Sequence, residues 1–427
     1  MYRRLIVIGL VNIGLLLAWA SRTLGWGSGT SAPGYLVERV YPQAARILGA
    51  GYEEVIMISG TNGKTTTRAL LNAVYANQGV EFVSNLGGAN IYRGIVTALL
   101  NNRSRSGRLK AKVAILEVEE ATLPRLTRYF APTTLILTNI FRDQLDAYGE
   151  INQTLDYFVT TLEQTNPRLI INRDDPKLGN YLAKYLPAAV GFGLEKTHRP
   201  GYEESGEIQV EPATHYLVKE ITPGAKITAK IITPEETHTF ASPLPGTFNL
   251  YNFAAAVAAT YERFGPGVVQ ALEKFENVFG RGEVIEVGDT SYHLYLVKNP
   301  AGYAEVLKYL RSLGHKKLNL NLLINDNIAD GRDVSWLWDV PFEEFFEGQE
   351  CAALRTGGSR GLDMLLRVEY AGAKVVLENN YTIPELITVT KDNRSREYVL
   401  CTYTALLEFR RELGKYTEVT DLSEAGN

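Results

Sequence analysis

The chain has 427 residues, which at a usual domain size of about 150 gives roughly three structural units and room for more than one hydrophobic core. Hydrophobic residues at 45% and charged residues at 22% exclude a disordered, collagen-like or polytopic membrane chain, although a single membrane segment stays possible. With 44 basic against 48 acidic residues and a formal net charge of -4, no global positive field is present to recruit nucleic acid.

Met1 to Arg22 carries two early arginines and an apolar run from Leu5 to Ala20. Three readings fit: a secretory signal peptide cut after Ala18-Trp19-Ala20, a membrane-anchoring helix flanked by Trp19 and the arginines, and a helix packed on the body. The nucleotide motif downstream requires the cytoplasm, so the expectation is membrane contact through this segment, at the inner face of the cell membrane. Gly25–Gly34 is rich in small residues and proline and reads as a linker. Tyr35–Leu48 then reads as helical.

From Gly51 onward, short apolar β-rich runs alternate with helical patterns: Val55–Ser59, Val113–Val118, Thr134–Thr138 and Leu169–Asn172. The alternation predicts an α/β fold with a mostly parallel, helix-covered sheet. Between Gly193 and Leu244 the pattern changes to alternating β segments such as Ala225–Ile232, which predicts an inserted antiparallel section. Helical periodicity returns over Asn249–Phe264 and Pro266–Val278, and a second α/β series runs from Tyr292 to the end. The expected organisation is a terminal segment and linker over 1–34, a domain over 35–285 with the β-rich insertion at about 193–244, and a second domain over 286–427.

The strand Val55–Ser59 runs directly into Gly60-Thr61-Asn62-Gly63-Lys64-Thr65-Thr66-Thr67 and then a helix-forming stretch. Strand, glycine loop, lysine, hydroxyl and helix in that order bind phosphate. The glycines let backbone N–H groups turn onto phosphate oxygens, the helix start adds its positive dipole end, Lys64 neutralises the transferred phosphate and Thr65 can ligate magnesium. Glu117, Glu119 and Glu120 close the strand Val113–Val118, where carboxylates at the ligand edge of a parallel sheet can hold that ion. Leu137–Asp146 follows another strand with a dense polar run.

GTNGKTT, TNIFRDQLD, INRDDP, GTFNLYNFAAA and FGRGE, in that order, resemble the ATP-dependent Mur ligase family and its folylpolyglutamate synthase relatives. LVKNPAG, LINDNIADGRDVSWLWD and TYTAL in the C-terminal half narrow the resemblance to the MurT-type subunits of lipid II isoglutaminyl synthases, over about residues 35–420. The resemblance implies a P-loop Mur ligase central domain followed by a C-terminal Rossmann-like α/β domain. It also implies a C–N ligase that uses ATP and Mg2+ to form an acyl phosphate on the D-glutamate α-carboxylate of the peptidoglycan stem peptide, on lipid II or a muropeptide. Ammonia would come from a separate GatD-like glutaminase. By the same resemblance, Gly60, Thr61, Asn62, Gly63, Lys64, Thr65 and Thr66 would bind the ATP phosphates, with Thr65 and Glu117 or Glu120 near magnesium. Asn249 and Asn252 would approach the adenine, Arg281 would be the interdomain arginine, and Lys298 would reach the γ-phosphate and acyl phosphate. Asp333 would be the aspartate lent to the glutaminase's cysteine and histidine, with Asp326, Asp330 and Asp339 as neighbours open to the same role.

Three departures bear on these expectations. Asp143-Gln144 stands where many Mur ligases have Asp-His, which puts a second magnesium in doubt. The stretch at about 193–244 lacks the cysteines of a zinc ribbon, so no zinc is expected. Only 59 residues precede Gly60, too few for a UDP-binding domain, which fits a lipid-linked substrate.

Cys351 and Cys401, the only cysteines, lie in apolar strand-like contexts, and none of His198, His215, His238, His293 or His315 sits in a catalytic motif. If glutamine is the nitrogen source, another chain must therefore hydrolyse it. Trp336 and Trp338 read equally as core and as partner surface. A self-contained amino-acid ligase and a membrane-tethered P-loop NTPase are the alternative functions.

Overall fold

The computed structural model describes residues 6, 8–14, 32–85, 89–141, 150–198, 210, 212, 214–222, 226–275, 280–374 and 379–419, organised on two sheets. The first contains β1 (Glu54–Ser59), β2 (Phe82–Ser84), β3 (Val113–Glu117), β4 (Thr134–Leu137), β5 (Arg168–Asn172), β6 (Val190–Leu194), β7 (Thr214–Thr222), β8 (Thr228–Ile232) and β9 (Thr237–Ala241). Its order is β2-β3-β1-β4-β5-β6-β7-β8-β9. Every pairing from β2 to β7 is parallel, and only β7-β8 and β8-β9 are antiparallel.

The alternation of side chains along these strands divides two cores. Val55 and Met57 join Leu116, Leu135 and Leu137 on one face, whereas Ile56 and Ile58 join Ile115, Ile136 and Ile170 on the other. The helices Lys64–Asn77 and Phe248–Phe264 cover the second face, and the fully buried run Ala254–Ala258 in the latter lets its backbone lie close to the sheet. The chain leaves β1 for β3 and β2 on one side and later returns to β4 on the other. The loop after β1 therefore opens at the point where the strand order reverses, the position at which open parallel sheets bind ligands.

The second sheet contains β10 (Arg281–Val287), β11 (Thr290–Leu296), β12 (Lys317–Leu323), β13 (Glu350–Gly357), β14 (Asn380–Tyr381) and β15 (Arg396–Cys401), ordered β10-β11-β15-β12-β13-β14. Only β10-β11 is antiparallel. The sheet opens at Arg281, so the division expected near residue 285 falls within its first strand.

Three local expectations need correcting. The helix expected over Tyr35–Leu48 is two helices, Ala32–Val40 and Ala44–Leu48, because Pro42 lacks an N–H and disfavours helical geometry in the residue before it. The β-rich stretch has the expected antiparallel pairs, β7-β8 and β8-β9, but β7 also pairs in parallel with β6, so the three strands lengthen the main sheet. The helix expected to reach Val278 is Gly267–Glu273, and residues 276–279 lie outside the described ones.

Most of the apolar terminal segment also lies outside the described residues. Residues 8–14 are helical, with Leu10 and Val11 buried in the first core and Asn12 Nδ2 donating to the Arg105 carbonyl at 3.1 Å. For these residues the packed-helix reading describes the structure. Among the described residues no helix is long and apolar enough to cross a membrane.

Asp175 shows how the loops at the ligand edge are tied together. It caps the helix Pro176–Tyr181, accepting from the Lys177 and Leu178 amides at 3.0 and 3.1 Å, and its other oxygen accepts from the Ile140 amide beyond β4 at 2.7 Å. Asp175→Ala should destabilise the fold by about 1–3 kcal/mol, measured by urea denaturation, since it removes a cap and orphans a buried N–H. Burial pushes this carboxyl from 3.8 up to about 6. Its protonated form is thus favoured by folding, so its contribution is complete below 3.8 and is lost as pH rises through about 6. Between pH 4 and pH 7 the stability of the wild type should fall by more than that of Asp175→Asn.

Candidate active site

Gly60 and Gly63 have φ of +122° and +88°, a region that side-chain-bearing residues avoid. Space forbids a side chain as well: a Cβ on Gly60 would lie 2.4 Å from Thr138 Oγ1, and one on Gly63 would lie 2.3 Å from Asn252 Oδ1. Gly63 is the N-cap of the helix Lys64–Asn77 and no side chain caps that end, which leaves its first amides for a ligand. Lys64 is buried, with Nζ donating to the Gly60 carbonyl, to the Thr61 carbonyl at 3.2 Å and to Glu120 Oε1 at 3.0 Å. The Thr66 hydroxyl is buried with no hydrogen-bond partner among the described residues. An orphaned donor in such a loop fits a phosphate oxygen.

Glu117, at the end of β3, is the centre of the charged network. Its Oε2 accepts from Thr65 Oγ1 at 2.8 Å and lies 3.7 Å from Arg68 Nε, and its Oε1 accepts from Asn90 Nδ2 at 3.2 Å. Asn85 holds its backbone on both sides, donating to the Glu117 carbonyl at 2.8 Å and accepting from its amide at 2.9 Å. Arg68 and Arg281 are both held below the usual arginine range by burial, opposed in each case by the charge of Glu117. The Thr65 hydroxyl and Glu117 carboxylate are hard oxygen donors suited to magnesium. Among the described residues no group of three His, Cys, Asp or Glu stands ready to hold a metal alone, so phosphate and water oxygens would complete the shell. Of the two carboxylates expected near the ion, only Glu117 touches Thr65, while Glu120 pairs with Lys64.

Asn249 and Asn252 sit beneath the loop, in the first turn and a half of Phe248–Phe264. Asn252 Nδ2 donates to Asn249 Oδ1 at 3.0 Å, its Oδ1 accepts from Thr67 Oγ1 at 3.3 Å, and Asn249 Nδ2 donates to the Pro245 carbonyl at 2.6 Å. Lys298 is exposed just beyond β11 and precedes Asn299, whose side chain meets that of Asn62. The structure thus gathers the phosphate-loop residues, Glu117, Glu120, Asn249, Asn252 and Arg281, and places Lys298 next to a residue that touches the loop. Arg68, Asn85, Asn90, Asn139 and Asn299 also belong to this network and were not among the residues expected from sequence. Asn139 lay in the polar run after β4, and only its position at a strand end marked it. The Asp143-Gln144 departure lies outside the described residues.

Asp333 makes no contact with this cluster. It is exposed beyond β12, with Oδ1 accepting from the Ser335 amide at 2.8 Å and hydroxyl at 2.5 Å, bonds that hold its pKa below the usual carboxylate value. Its neighbours are more committed: Asp330 accepts from the Thr404 amide at 2.7 Å and from the Thr404 hydroxyl, and Asp326 accepts from Ser359 Oγ at 2.7 Å. The two tryptophans divide. Trp336 is buried near Tyr303, whereas Trp338 is 52% exposed and meets the exposed ring of Tyr370 edge-on at 5.5 Å. Burial pushes the Cys351 thiol up to about 11 and raises that of Cys401, so both remain protonated at neutral pH.

A family model for the Mur ligase middle domain matches residues 58–260, and one for the MurT ligase C-terminal region matches residues 296–406. A lipid II isoglutaminyl synthase (glutamine-hydrolyzing) subunit MurT from Streptococcus pneumoniae (strain ATCC BAA-255 / R6) is 28% identical over 423 residues, covering 91% of this chain and 93% of the relative. A protein of the same name from Staphylococcus aureus (strain N315) is 27% identical over 437 residues, covering 96% and 98%. In fold, the chain matches the UDP-N-acetylmuramoylalanyl-D-glutamyl-2,6-diaminopimelate–D-alanyl-D-alanyl ligase of Acinetobacter baumannii at a TM-score of 0.64 and 16% identity, over 87% of this chain and 78% of that one. It also matches MurF ligase from Thermotoga maritima in complex with ADP at 0.61 and 16% identity, over 88% and 84%. A phosphate loop on one α/β unit, joined to a second unit that opens with a half-buried arginine, is the layout of an ATP-dependent ligase. Within that class the chain carries a match to the Mur ligase middle domain, followed by a match to the MurT ligase C-terminal region.

Glu117→Gln should destabilise the protein by about 3 kcal/mol in urea denaturation, because it leaves the buried Arg68 guanidinium without a countercharge. The double variant Glu117→Gln/Arg68→Met should recover a substantial part of that loss.

Proposed function

We propose that this chain is the synthetase subunit of a lipid II isoglutaminyl synthase, amidating the α-carboxylate of D-glutamate in the peptidoglycan stem peptide with ammonia from a separate GatD-like glutaminase. The observation that carries this reading is the match to relatives of that name along more than nine-tenths of both chains. Bound ATP with Mg2+ supplies the phosphoryl group that turns the carboxylate into an acyl phosphate, from which ammonia displaces phosphate. Lys64 and the loop amides from Gly60 to Thr66 hold the phosphate oxygens, and Thr65 with Glu117 would hold the metal. Asn249 and Asn252 brace the loop on the side assigned to the adenine. Arg281 and Lys298 bring positive charge from the second unit to the phosphate and carboxylate that react. The enzyme works in the cytoplasm at the inner membrane face, where lipid II is made accessible.

Burial keeps both thiols protonated and so poor nucleophiles, which is why the nitrogen donor is assigned to another chain. Asp333, exposed and accepting from Ser335 through Oδ1, is the aspartate assigned to orient a partner's histidine. The exposed Trp338 and Tyr370 rings suit the surface on which such a partner rests.

Lys64→Ala should abolish ATP-dependent amidation while leaving the circular dichroism spectrum unchanged; undiminished turnover in the folded variant would remove the loop from the reaction. Asp333→Asn, assayed with the partner, should lower glutamine-driven amidation by on the order of 10⁴ while high concentrations of free ammonium restore product. Equal loss with both nitrogen donors would place Asp333 in the synthetase reaction instead.

A further inference from the structure

The contact between Asn62 and Asn299 joins the tip of the phosphate loop to the second unit, across 237 residues of sequence. Asn299 Nδ2 donates to Asn62 Oδ1 at 3.1 Å, and Asn62 Nδ2 donates back to Asn299 Oδ1 at 3.4 Å. Asn299 is fully buried and is also the N-cap of the helix Pro300–Ser312, its Oδ1 accepting from the Gly302 amide at 2.8 Å. Capping alone does not call for asparagine, since aspartate and serine cap equally well. Asparagine adds a donor, and here the donor reaches the loop.

Asn62 is itself held firmly. Its amide donates to Asn139 Oδ1 at 2.9 Å, and its carbonyl accepts from Asn139 Nδ2 at 3.1 Å. Asn139 stands two residues beyond β4, and its own carbonyl accepts from the Thr61 amide at 2.9 Å. A chain of three amides therefore runs from the end of a central strand, through the loop tip, to the start of a helix in the second unit.

Lys298 lies between two points that this geometry fixes. On one side the Val297 amide donates to the Cys401 carbonyl of β15 at 2.9 Å, and on the other Asn299 is bound to Asn62. Consecutive Cα atoms are about 3.8 Å apart, so the backbone of Lys298 can move little while both anchors hold.

We propose that Asn299 is a positioning residue which, through its reciprocal amide pair with Asn62, sets Lys298 against the phosphate loop and couples loop to second domain. The inference rests on the ligase reading for what Lys298 does, but the pairing itself does not. Asn299→Ser separates the two roles of the side chain, because serine keeps the cap and is too short to reach Asn62. The variant should unfold at the wild-type temperature, and with the glutaminase present and ammonium as nitrogen donor its kcat should fall about 10²-fold with little change in KM for ATP. If Asn299 acts through Lys298, Lys298→Ala and the double variant should show the same loss, a non-additivity that general destabilisation would not produce. Unchanged kcat in Asn299→Ser, or losses that add in the double variant, would overturn the proposal. Spin labels on the two domains give a readout independent of activity: the distance distribution should broaden in Asn299→Ser, and an unchanged distribution would overturn the coupling. Absence of amidation in the wild type would instead count against the functional reading, while the distance measurement would still decide the pairing.

Discussion

Removing a carboxylate from water costs several kcal/mol unless opposite charge and hydrogen bonds replace the lost hydration, and Glu117 is that carboxylate here. It is 3% exposed, at the end of a central parallel strand, with Arg68 beside it, Thr65 and Asn90 donating to it, and Arg281 within its field. These four partners come from three separate parts of the chain. The helix after the phosphate loop, the segment after β2 and the first strand of the second sheet all converge on one negative charge. The same residue therefore ties the site together mechanically and offers the oxygen that a metal would use.

The position of Arg281 has a further meaning. It opens β10, so the link between the two sheets enters the second unit at a residue whose charge is answered by the first. The amide pair between Asn62 and Asn299 makes a second crossing nearby. One crossing is ionic and the other neutral, and together they set the second unit above the edge where the phosphate loop opens.

Much of this was legible in the sequence. Val55–Ser59 reads as a buried strand because every residue is apolar or small, and the glycine loop after it declares both turn and ligand. Arg68 was not legible: an arginine in a helical stretch looks solvated, and only burial against Glu117 reveals its part. Asn299 reads as an ordinary cap before proline, and its second bond depends on a loop far away in sequence. The stretch holding β7 to β9 was legible as antiparallel strands, but its attachment to β6 was not, since alternation reports a pleat and not which neighbour a strand pairs with. Trp336 and Trp338 lie two apart on a single short turn, and a pattern of residue types does not say which of them faces the core.

The alanine run in Phe248–Phe264 has a mechanical consequence. Ala258 and Asn249 are nine residues apart on one rigid helix, about 13 Å along its axis. The small side chains let the backbone lie flat on the sheet, so a larger group at the far end would act as a wedge under a lever. A tilt of about 4° would displace the other end by about 1 Å, and that end carries the asparagines that fill the space beneath Gly63. The geometry of the phosphate loop is thus set partly by side-chain volume in the core further along the same helix.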